Sequence, residues 1–277
     1  MIDEALERFG ELVRRHAEDL DLAKGALLIA RTEYPDLEVE RYLGRLDRMA
    51  EEARAGLRGG QEPAAALRRL HVYLFEEQGF RGNSEEYYDP RNSFLNDVLD
   101  RKTGIPITLS VVYMEVGCRL GLTIRGIGLP GHFMVEWQGD TERLLIDPFN
   151  RGAILDAQEC QALVARAMDR PIELGPEHFR SVGKRQILAR MLLNLKGIWF
   201  SRQEWGKALA IVERLLLLAP AALGEVRDRG IIHARLGTWV AAVRDLEAYL
   251  RARPEAPDAE TVRHHLRTVR QALASRN

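Results

Sequence analysis

Gly104 to Asn150 reads GIPITLSVVYMEVGCRLGLTIRGIGLPGHFMVEWQGDTERLLIDPFN, and its pattern decides the fold. Pro106 suits the first turn of a helix. Behind it Ile107, Leu109, Val111, Val112, Tyr113, Met114 and Val116 are apolar nearly all round, which predicts a buried helix over roughly 106–119. Leu120-Gly121-Leu122 marks a turn, and strands are expected at 124–129, 132–138 and 143–147, the first two divided by Pro130-Gly131. His132 opens one strand and Asp147 closes the next. That order predicts that the two are neighbours, with Asp147 orienting the imidazole through one ring nitrogen. The competing reading of His132 is a structural histidine at a strand edge.

Shorter motifs flank this stretch: Asp89-Pro90-Arg91-Asn92-Ser93, Leu95-Asn96-Asp97-Val98-Leu99, Gly104-Ile105-Pro106-Ile107, Gly128-Leu129-Pro130-Gly131-His132-Phe133 and Ile146-Asp147-Pro148-Phe149. Together they resemble the transglutaminase-like domain of the SirB-type (regulator-of-sirC-expression) bacterial proteins, a segment also found in a vertebrate F-box protein. The resemblance runs from roughly residue 40 to 270. It implies a papain-like α+β core in which a helix N-terminus supplies a Cys, one strand a His and the next an Asp. The Cys position falls on or near Pro106. There the positive end of the helix would lower a thiol's pKa, and proline has no such chemistry. Cys118, twelve residues further along the helix, is displaced by about 18 Å. Cys160 lies beyond the Asp strand, and both cysteines read as small buried residues. Thr108 and Ser110 are nearer. Each is either a hydroxyl that His132 activates or a packing residue bonded back to a carbonyl.

Bulk properties narrow the function classes. The 277 residues carry 40 basic and 41 acidic side chains, a formal net charge of -1, which argues against a dedicated nucleic-acid binder. The amphipathic start, MIDEALERFGELVRRH, does not suit a signal peptide, and no run approaches the roughly 20 apolar residues of a membrane span. Two cysteines make neither a disulfide framework nor a metal cluster. His132 has no His or Cys partner at ligand spacing, and no phosphate loop or nucleotide fingerprint is present. The expectation is a cytoplasmic protein without metal or cofactor.

Before the central stretch the chain reads as helices. Residues 3–31 show helical spacing broken at Asp19 and Asp21, with Asp21 able to cap the second helix. Helices are expected over Leu37–Gly56 and Ala64–Gln78, separated by the break Gly59-Gly60-Gln61-Glu62-Pro63. Phe80 to Arg101 reads as a polar loop with Tyr87, Tyr88 and Phe94 interleaved. Either its Asn and Asp side chains satisfy buried turns, or Asn92, Asn96 or Asp97 lines a cleft and meets a ligand. Asp156 to Met168 is expected to close the core as a helix, and Arg170 to Val182 to be a linker.

The last third repeats. Trp205 and Trp239, Ala208 and Ala242, and Pro220 and Pro254 share one offset of 34 residues, the tetratricopeptide period. In the first unit Leu192, Leu195 and Trp199 should face Trp205, Ala208, Val212 and Leu215. In the second, Val226, Gly230 and His233 should face Trp239, Ala242, Leu246 and Tyr249. Val262 to Leu273 would cap the array.

The expected organisation is α+β: N-terminal helices over 1–80, a transglutaminase-like core over 81–170, and repeats with a capping helix over 186–277. The leading function is a non-catalytic protein that binds a protein partner or small ligand, with Pro106, Thr108, Asn92, Asn96 and Asp97 as cleft candidates beside a remnant His132–Asp147 pair. The alternative is a hydrolase or acyltransferase using Thr108 or Ser110 with that pair, and a scaffold binding through its repeats is a third reading. The resemblance suggests a regulatory or accessory role.

Overall fold

The computed structural model describes residues 4–14, 16, 19–57, 62–139 and 142–275, so the expected Gly59-Gly60-Gln61 part of the first break lies outside the described residues. Two compact units form. One is His16–Met191; the other joins α1 (Glu4–Val13) to the chain from Leu192 onward. The helices expected within residues 1–80 are thus divided between the two units.

The first unit opens on α2 (Leu22–Ala30), whose N-cap is Asp21: its carboxylate accepts the backbone N–H of Lys24 at 2.9 Å. α3 (Val39–Ala55) buries Leu46, Met49, Ala50 and Ala53 on one face. Pro63 starts α4 (Pro63–His71). The helix expected to run on to Gln78 instead widens into a π-helical segment, Val72–Glu77, that buries Tyr73, Leu74 and Phe75. β1 (Arg81–Gly82) and β2 (Thr103–Gly104) make a small parallel pair. Between them the stretch read as loop contains a helix, α5 (Leu95–Arg101). The correction has a simple cause: Leu95, Val98 and Leu99 fall at helical spacing and are fully buried.

α6 (Pro106–Arg119) is the buried helix, and Gly117 lets it approach β3 (Ile124–Leu129), since a Cβ there would sit 2.4 Å from Ile124 Cδ1. Beyond β4 (His132–Gln138) and β5 (Arg143–Asp147) the structure adds β6 (Ala153–Leu155). α7 (Ala157–Ala167) follows, held at its start by a reciprocal cap between Asp156 and Glu159. The expected 170–182 linker ends in another strand, β7 (Ser181–Val182), paired antiparallel with Gly126 and Ile127. The sheet order is β6-β5-β4-β3-β7, with every pairing antiparallel. Ile127, Leu129 and Met134 pack with Cys160 and Val164 of α7.

The second unit holds the repeats. α8 (Lys184–Ser201) contributes residues to both units; α9 (Trp205–Leu218), α10 (Leu223–Arg235), α11 (Trp239–Ala252) and α12 (Ala259–Ala274) belong to the second. Ala208 and Ala242 are fully buried at equivalent places. Gly230 allows α10 and α11 to close, because a Cβ there would lie 2.9 Å from Leu246. His233 departs from its expected role. Its Nδ1 is 2.8 Å from the Thr238 hydroxyl in the turn, while Ile232 takes the buried position. α12 caps the array with Val262, Leu266 and Val269 against Ala242, Leu246 and Tyr249. The architecture is α+β followed by helical repeats.

Candidate functional site

The turn that delivers His132 is two residues long. Pro130 presets the backbone, and Gly131 takes φ +66°, a left-handed conformation that glycine adopts without Cβ strain. Leu129 then pairs directly with His132. The alternation of a strand puts His132 on the same face as Met134.

Asp147 ends the neighbouring strand, fully buried, with its Oδ2 3.0 Å from His132 Nε2. The ring N–H is not squarely aligned on that oxygen. Three donors from the next turn complete the carboxylate: the Asn150 side-chain amide at 2.7 Å, the Phe149 N–H at 3.0 Å and the Asn150 N–H at 3.4 Å. Burial pushes the Asp147 carboxyl up, but the His132 ring and the Asn150 donors outweigh it and hold the pKa below the ordinary value. An ionised Asp147 favours the His132 tautomer protonated at Nε2, leaving Nδ1 as the ring's lone-pair nitrogen.

Sequence reasoning missed the groups around the pair. Phe149 stands edge-on to the imidazole with ring centres 6.1 Å apart, and Tyr87 packs on Phe149 at 6.2 Å. Gly82 makes room for Phe149; a Cβ would meet its ring at 2.6 Å. Arg190 donates to the carbonyls of His132 at 2.6 Å and Leu129 at 2.8 Å, and its guanidinium lies 5.4 Å from the Phe133 ring centre. It thereby ties the start of α8 to the His132 turn. Asp-Pro-Phe-Asn carried a signal for Asn150, as a polar side chain three residues past a strand-ending Asp; nothing local pointed to Arg190.

The other candidates have different places. Pro106 is buried at the first position of α6. Thr108 Oγ1 lies 2.6 Å from the Asn92 carbonyl and 3.1 Å from that of Ile105, so its one proton is committed to backbone. Ser110 is fully buried, and its hydroxyl has no partner among the described residues. Asn92 serves its own loop, donating to the carbonyls of Glu86 at 2.7 Å and Tyr87 at 3.3 Å. Asp97 accepts from the Tyr34 hydroxyl at 2.7 Å; burial raises its pKa, and that bond together with Arg91 offsets part of the rise. Asn96 is buried, and its side-chain oxygen has no partner among the described residues. Phe94 anchors the loop in the core, whereas Tyr88 is 76% exposed. Cys160 is buried with its Sγ 3.7 Å from Met134 Sδ. Cys118 was expected inside and is exposed, because the last turn of α6 rotates it away from the core. Among the described residues no three His, Cys, Asp or Glu side chains group to hold a metal, and no helix is long and apolar enough to cross a membrane.

A family model described as the transglutaminase-like superfamily matches residues 40–193, more than half of the chain. The chain belongs to the transglutaminase-like superfamily. A tetratricopeptide repeat model matches 195–267, so the order of transglutaminase-like domain and repeats is as the motifs implied. A UPF0162 protein of Xylella fastidiosa is 37% identical over 259 residues, covering 90% of each chain. Protein SirB1 of Salmonella typhimurium is 26% identical over 240 residues, 86% of this chain and 88% of that one, in line with the SirB-type resemblance. F-box only protein 21 of Homo sapiens matches over 137 residues at 29% identity, 47% of this chain and 21% of that protein. No solved structure matches. His132 and Asp147 both lie within the matched transglutaminase-like segment.

Proposed function

We propose that this transglutaminase-like protein acts by binding, in a regulatory or accessory role, and that the surroundings of His132 and Asp147 are a catalytic site without its nucleophile. One observation carries the reading: the His–Asp pair is built, yet the helix position at which a nucleophilic Cys would be expected holds Pro106. The other candidate nucleophiles support it. Thr108 spends its proton on a carbonyl, Ser110 is sealed, and Cys160 is occupied with Met134. The bound species is a protein or a small ligand; the tetratricopeptide repeats, which generally mediate protein–protein contacts, favour a protein. Two free cysteines suit a reducing compartment, and a cytoplasmic location belongs to this reading.

The test is a panel of ester and amide substrates and an acyl-transfer assay, run on the wild-type chain and on His132→Ala. No turnover that depends on His132 is expected. Wild-type turnover abolished by His132→Ala and by Ser110→Ala would overturn the proposal in favour of a hydrolase. The unpartnered Ser110 hydroxyl is the observation on that side.

A further inference from the structure

α3 turns three arginines toward one cavity. Arg41, Arg45 and Arg48 follow one another at spacings of four and three, which puts them on a single helix face. They line a space of about 370 Å³ to which Lys102 also contributes. Glu52 and Asp100 are the carboxylates of its wall. Four cations against two anions leave two positive charges.

Both carboxylates are already engaged. Glu52 accepts from the Tyr73 hydroxyl at 2.6 Å. Asp100 accepts from the Tyr42 hydroxyl at 2.7 Å and pairs with Arg45, which also donates to the Leu99 carbonyl at 2.7 Å. Lys102 is held by the Gln78 side-chain oxygen at 2.6 Å and lies 4.7 Å from the Phe80 ring centre. Burial and then Arg45 pull its ammonium pKa down, against the opposite pull of Glu52 and Asp100. Among the described residues neither Arg41 nor Arg48 has a carboxylate partner. Lys102 also occupies an unusual place in the backbone. It ends α5 with φ +59°, where a helix terminator is ordinarily glycine or asparagine.

Clustered like charges repel, and a dianion would relieve them. A phosphomonoester carries about −1.5 to −2 charge at neutral pH and offers three acceptor oxygens, which guanidinium forks match in pairs. A single carboxylate would leave the cluster half-compensated. The volume lies near the lower end of the roughly 300–1,000 Å³ typical of ligand pockets, enough for a phosphate and a compact organic body. Tyr42, Met49 and Tyr73 provide walls for that body. We infer that this cavity binds a small phosphomonoester, a phosphorylated metabolite of about sugar size, at a site distinct from His132 and Asp147.

Isothermal titration of the full chain with glucose 6-phosphate, inorganic phosphate and glucose, in about 0.15 M salt so that exposed charges are screened, tests the inference. Glucose 6-phosphate should saturate one site, phosphate should bind the same site more weakly, and glucose should not bind. The double variant Arg41→Gln/Arg48→Gln should weaken the phosphate ester by roughly tenfold or more. Its thermal midpoint without ligand should match or exceed that of the wild type, because no carboxylate loses a partner and the repulsion between like charges falls. Lys102→Gln, read the same way, provides a second variant on another element. No saturable binding of either phosphate compound up to about 10 mM would overturn the inference, as would binding that survives the double substitution. Retention on phosphatidic acid vesicles with no binding of the soluble compounds would overturn the metabolite and point to a lipid headgroup.

Discussion

The hydroxyl of Thr108, inside α6, donates to the carbonyl of Asn92, sixteen residues earlier, at 2.6 Å. This bond ties the Asx-rich loop to the central helix, and it accounts for a threonine in an otherwise apolar first turn. Thr108→Val keeps the shape and removes the donor. The Asn92 carbonyl retains only the longer N–H contact from Ile105 at 3.3 Å, and a loss of about 1 kcal/mol is expected. Urea denaturation measures it; an unchanged midpoint would mean that the loop is held by Phe94 and Asn92 alone.

Asp147 is buried and ionised, so its replacement should cost more. Asp147→Asn removes the charge facing His132 and is expected to destabilise by roughly 2–4 kcal/mol at pH 7. The pH dependence has a definite sign. The folded pKa lies below the unfolded value of about 3.9, so the stabilisation is fully present above that value and disappears as pH falls through the folded pKa. Denaturation curves of wild type and variant should therefore converge in acid, and a gap that stays constant down to about pH 3 would exclude a role for the charge.

Gly230 and Gly197 make a matched pair within the repeats. Gly230→Ala would press a methyl to 2.9 Å from Leu246 and force α10 from α11, at an expected cost of about 1–3 kcal/mol. Gly197, inside α8, has nothing among the described residues within 4 Å of where a Cβ would sit, so Gly197→Ala should stabilise by roughly 0.5–1 kcal/mol through helix propensity. Thermal midpoints moving in opposite directions are the expected result.

The two thiols should separate by reactivity. Cys118 is exposed and should react with a disulfide reagent in the native protein. Burial, with Asp147 next in effect, pushes the Cys160 thiol up to about 11, so it should react only after denaturation. Titration should count one thiol native and two unfolded; two native thiols would mean that α7 opens from the sheet.

Local pattern gave much of this away. The bounds of α6, β3, β4 and β5 follow from apolar runs and the Pro-Gly turn, and the Asp21 cap from a single residue before an apolar helix. The 34-residue offset of tryptophan, alanine and proline announced the repeats. The order His then Asp, at the start of one strand and the end of the next, was enough to expect contact, because adjacent antiparallel strands bring those two ends together. Elsewhere a local signal was present and overridden by composition: Leu95, Val98 and Leu99 have helical spacing, but the Asn and Asp around them resembled a loop. β6 and β7 are three and two residues long and have no period of their own to detect.

A helix or strand period records which side of an element is apolar, because burial of that side is what selects the residues. It does not record which element covers it. The α+β core with its three central strands, the repeats and the His132–Asp147 pairing were therefore legible in the sequence alone. Only the tertiary structure decided that Arg190 clasps the His132 turn across 58 positions, that Thr108 is bound to the Asn92 loop, and that Arg41, Arg45 and Arg48 share a cavity with Lys102. Those contacts join residues far apart in the chain, and packing sets them.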